Sequence, residues 1–221
     1  MGCSDCGRKG GCDERKGTQR GVLDGVIASV YPERVWGRPD DEARFGAGVP
    51  RGEVKRLARS ISALVKAPTF FRAGADEDLC DFVWVLCVGR EPALVEVRDG
   101  RAAIPEHDAR LEDRYLRVCF STVARLAAVQ EVTLALDGGA VVEETPRPGV
   151  FDPALLKRMQ KVVALLEASD VAHIDFGLLD VPLDGGAPGE YVARYGVEPR
   201  LANWLFYAAP PTTRTVTLLD R

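Results

Sequence analysis

The chain has 221 residues, 46% apolar and 28% charged, enough for one sizeable core and unlike either a disordered or a membrane-embedded composition. Its net charge of -4 gives no general attraction for phosphate backbones or anionic lipid, so neither nucleic acid nor a membrane is expected as a partner. No run approaches the ~18 consecutive apolar residues of a membrane span, and the start lacks the apolar stretch of a secretory signal, which points to a soluble cytoplasmic protein.

The first 21 residues stand apart. They hold six glycines, three cysteines and almost no apolar side chains, with Arg8, Lys9, Arg15, Lys16 and Arg20 set against Asp5, Asp13 and Glu14. They cannot supply a hydrophobic core, so the chain divides into a Cys/Gly-rich segment over 1–21 and a globular domain over 22–221. Met1-Gly2-Cys3 is similar to the start of an acylated chain, but Cys6 stands where that pattern wants Ser or Thr.

From Val22 the apolar residues Val22, Leu23, Val26, Ile27, Val30 and Tyr31 recur on one helical face, predicting a short helix that ends at Pro32. An ordered loop around Trp36 and Phe45 follows. Val54, Leu57, Ala58, Ile61, Leu64 and Val65 predict an amphipathic helix over 51–66, stopped by Pro68, with Arg51, Lys55, Arg56 and Arg59 on its solvated side. The nearly continuous apolar run 80–88 reads as a central strand buried on both faces.

Two hairpins are expected, 93–98 with 101–104 around Asp99-Gly100, and 132–136 with 140–144 around Asp137-Gly138-Gly139. Between them 115–120 reads as a strand and Ser121 as the cap of a helix over 122–129. Asp152 as N-cap and Pro153 at the first helical position open a helix carrying Leu155, Leu156, Met159, Val162, Val163 and Leu166. A strand over 171–176, a Gly/Pro/Asp loop over 177–189, an apolar helix or strand over 201–208 and a terminal strand over 214–219 complete the chain. The expected fold is α+β, a mixed, largely antiparallel sheet packed by three or more helices.

Cys3-x-x-Cys6-x5-Cys12 carries the clearest chemistry. A Cys-x-x-Cys turn brings two sulfurs onto one ion, a third follows within a glycine-rich loop, and neighbouring Arg and Lys favour thiolates. In a reducing compartment such clustered thiols bind metal or do redox work rather than form disulfides. An iron–sulfur cluster accepts three cysteines; zinc is the alternative and wants a fourth ligand, for which the segment offers only Asp13 unless His107, His173 or a core cysteine folds back. Cys80, Cys87 and Cys119 fall in apolar strands and read as core residues.

The chain lacks a Gly-x-Ser-x-Gly elbow, a His-Glu-x-x-His motif and a Walker A sequence. His173 and Asp175, two apart on one strand face, are the candidates for acid–base work. The glycines of 184–189 read as a surface turn, and Trp204, Phe206 and Tyr207 as core. The leading expectation is a small cytoplasmic metalloprotein using an iron–sulfur cluster for electron transfer or to dock on a redox partner. The alternatives are a protein–protein adaptor with a zinc knuckle or mobile tail, and an enzyme using the His173–Asp175 face.

Overall fold

The computed structural model describes residues 9–34, 47–74, 79–85, 96–98, 101–103, 111–137, 141–147, 150, 152–206 and 214–216. Its centre is a seven-stranded sheet built on one long hairpin, β5 (Leu111–Ser121) and β6 (Leu126–Asp137), paired antiparallel from Leu111↔Leu136 to Phe120↔Ala127. β2 (Cys80–Val85) lies on the other edge of β5, and β1 (Thr69–Arg72) on the other edge of β2. The second edge of β6 is shared end to end: β7 (Val141–Pro146) pairs antiparallel with its last half, and β8 (Ala172–Asp175) pairs parallel with 126–129. β9 (Arg214–Val216) closes the order on β7, and β3 (Glu96–Arg98) with β4 (Arg101–Ala103) forms a separate ribbon.

Strand periodicity sorts the side chains into two cores. On one face Val83, Val85, Leu116, Val118, Phe120, Ala127 and Val129 pack under α2 (Arg51–Val65) and α3 (Pro153–Ala168). On the other, Cys80, Phe82, Tyr115, Cys119, Ala128, Val132 and Leu134 meet α1 (Lys9–Val30) and the stretch 174–206. That stretch contains α4 (Phe176–Leu179), α5 (Tyr191–Tyr195) and α6 (Leu201–Leu205). The expected α+β architecture is thus observed, and no described helix is long and apolar enough to cross a membrane.

Most expected elements stand close to their expected bounds, and four expectations are corrected. The helix expected over 22–31 begins at Lys9. Its buried row, Leu23, Ile27, Val30 and Tyr31, fixes the far end, and extending a nucleated helix through glycines costs far less than starting one. The helix expected over 122–129 is absent: 122–125 turn the chain and 126–129 lie in β6, because Ala127 pairs with Phe120 and Ala128 with Ile174. Ser121 instead donates its hydroxyl to Leu205 O at 2.8 Å. A strand after Pro68, β1, goes unannounced by the apolar pattern, and the expected loop over 177–189 begins with α4, whose first residue is Phe176.

Candidate functional site

Of the three expected sulfur ligands, Cys12 is the fourth residue of α1, so helix replaces the loop expected around it. Cys3 and Cys6 lie outside the described residues. The first turn of a helix has backbone N–H groups without intrahelical acceptors, and the aligned peptide dipoles favour negative charge there, which suits a thiolate.

The helix ties this end of the chain to the sheet. Leu23 and Ile27 are fully buried. The Gln19 amide donates to His173 O at 3.1 Å and accepts from Asp175 N at 3.3 Å, so one side chain stands in for a neighbouring strand on β8. Arg20 pairs with Asp184 at 3.0 Å and with Asp24 at 3.6 Å.

Among the described residues no three His, Cys, Asp or Glu side chains group to hold a metal. Cys80 and Cys119 are buried free thiols of one core, as expected; Cys87, His107 and Tyr207 lie outside the described residues.

β8 sets His173 opposite Ala127 and Asp175 opposite Val129, hence on the expected common face, the one α3 covers. The two do different jobs. Asp175 accepts from Gly177 N at 2.8 Å and caps α4. His173 Nε2 is buried with no hydrogen-bond partner among the described residues, and burial pushes its pKa below the ordinary value against the opposing pull of Asp175 and Glu167. The imidazole is therefore neutral at pH 7, and neither residue lines either of the two described cavities.

No known protein family, curated protein or solved structure matches the chain.

Several buried polar groups escaped the sequence reading. Arg117 is buried, donates Nε–H to Gln130 Oε1 at 2.9 Å and stacks over Phe82 at 5.3 Å; a second guanidinium N–H donates to the same oxygen. Glu131, on the opposite face, lies 3.8 Å from Arg114 Nε and 3.7 Å from Arg147 Nη1, and accepts from Asp152 N at 3.2 Å, at the start of α3. The available signal was a polar residue inside an otherwise apolar strand, Arg117 in 115–120 and Gln130-Glu131 in 126–136.

The glycines of 184–189 form a turn, with Gly185 and Gly189 at positive φ. Arg34 pins it, donating to Asp184 O at 2.8 Å and accepting from Ala187 N at 2.7 Å. Behind it a cavity of about 70 Å³ lies between Pro182, Pro188, Pro199 and the buried Trp204.

Proposed function

We propose that the chain is a small metalloprotein in which Cys3, Cys6 and Cys12 bind an iron–sulfur cluster, used for electron transfer or for docking on a redox partner. The observation that carries this reading is the place of Cys12 at the amino end of α1, directly downstream of the Cys3-x-x-Cys6 pair. Thiolates gathered there are stabilised by the helix terminus and by Arg8, Lys9, Arg15 and Lys16. Three cysteines suffice for a cubane cluster, whose fourth iron takes another residue or stays open to a ligand.

Cys80 and Cys119 are committed to the core, and ligand spacing is found in the amino-terminal set Cys3, Cys6 and Cys12. A cluster on this segment would join the body through α1. The test is anaerobic purification followed by iron, sulfide and zinc analysis with a visible spectrum. Iron and sulfide with a charge-transfer band support the cluster; stoichiometric zinc without colour moves the site to a zinc knuckle; less than one metal equivalent ends the metal reading.

A further inference from the structure

We infer that the outer surface of the α2 and α3 layer binds an acidic, leucine-bearing segment of a protein partner. The inference is independent of the metal reading, since the buried row of α1 packs on the opposite face of the sheet. α2 and α3 together hold seven basic residues against two acidic ones, on a chain whose net charge is -4. Across the sheet, α1 and the stretch 176–206 together carry seven acidic residues and six basic ones. The positive charge is therefore concentrated in one layer.

Little in the fold neutralises it. Glu53, one of the two acids, is engaged by Arg125 at 3.0 Å, which holds its carboxyl below the usual carboxylate range. Arg51 is taken by the buried Asp81 at 3.1 Å, and Lys55 lies over Phe71 at 5.2 Å. Arg59, Lys157 and Lys161 are exposed and, among the described residues, form no ion pair; Arg56, also exposed, acts on Glu53 only through space. Lys55 and Arg59 are four apart on α2, Arg56 and Arg59 three apart, and Lys157 and Lys161 four apart on α3. Like charges at those spacings repel across one helix face and destabilise the helix that carries them. A partner's carboxylates would relieve that repulsion.

The partner's class follows from the apolar residues that the same two helices expose. Leu64 on α2 and Leu156 on α3 are 41% and 42% exposed, two of the five exposed large apolar residues among the described ones. A nucleic-acid backbone would engage the cations and leave both leucines in water. A membrane would require a broad apolar helix face, and the apolar faces of both helices are already spent in the core. An acidic protein segment with apolar anchors uses both features, the carboxylates for steering and the leucines for desolvated contact.

The probe is a fluorescent peptide of repeating Glu-Glu-Leu, titrated into the full chain with anisotropy as the readout. Expected are saturable binding that weakens steeply with salt, and a loss of at least about tenfold in the Arg56→Gln, Arg59→Gln, Lys157→Gln, Lys161→Gln variant with an unchanged circular dichroism spectrum. Leu64→Ser with Leu156→Ser should weaken binding several-fold and leave the salt dependence as it was. The Cys3→Ser, Cys6→Ser, Cys12→Ser variant should bind like wild type, so this inference and the metal reading fail separately. Absence of saturable binding, unchanged binding by the neutralised variant, or tighter binding of duplex DNA or phosphatidylserine vesicles than of the peptide would overturn it.

Discussion

At Gly48 the backbone N–H donates to Thr122 O at 3.1 Å and the next residue, Val49, donates to Ser121 O at 3.0 Å. A Cβ placed on Gly48 would lie 2.3 Å from Ser121 O and from Thr122 C, both backbone atoms that cannot rotate away. Gly48→Ala should therefore lower the unfolding free energy by about 1–3 kcal/mol, read from a shifted urea midpoint. At His173 the consequence is in pH. Burial lowers its folded pKa from 6.5, so its contribution to stability is fully present above that unfolded value and is lost as pH falls through the folded one. Unfolding free energy should decline below pH ~6.5, by no more than about 1.4 kcal/mol per pH unit for one proton, and His173→Gln should flatten that limb. Glu53, held low chiefly by the Arg125 hydrogen bond, adds a separate acid limb that begins near its unfolded value of 4.5, and His173→Gln should leave that limb in place.

Among the elements, α3 follows most directly from local chemistry. Asp152 accepts from Ala154 N at 2.8 Å and from Leu155 N at 3.2 Å, Pro153 takes the position where no N–H is needed, and Leu155, Val162 and Leu166 are buried. Asp152→Ala should cost about 1 kcal/mol in thermal or urea unfolding. Hairpins were equally legible where Asp-Gly sat between alternating runs, as Arg98↔Arg101 and Asp137↔Val141 confirm. The stretch 122–129 was not legible, because a short alanine-rich apolar run fits a helix or a doubly buried strand. Its state was decided by partners remote in the chain, β8 and Leu205. The amino-terminal half of α1 was hidden for the opposite reason: glycine lowers local preference while the stabilising contacts, Gln19 on β8 and Arg20 on Asp184, lie more than 150 residues away. The cysteine spacing was visible in the sequence. The basic layer was not, since its charge emerges once α2 and α3 are known to share one face of the sheet.

At the scale of the molecule, the sheet separates two chemistries. Its α1 face carries the buried row of α1 and the acidic turns of 176–206; its α2 and α3 face carries Arg59, Lys157 and Lys161, which form no ion pair among the described residues. Separation by a packed sheet, with Arg117–Gln130 buried on one side and Glu131 on the other, would let the two proposed sites take different partners without competing for surface. Iron-edge X-ray absorption on anaerobically purified protein tests for the proposed cluster most directly. A first coordination shell dominated by sulfur, lost in Cys12→Ser, is the predicted result. Iron or zinc at less than one equivalent, or a metal shell of oxygen and nitrogen unchanged when Cys3, Cys6 and Cys12 are all replaced by serine, would contradict it.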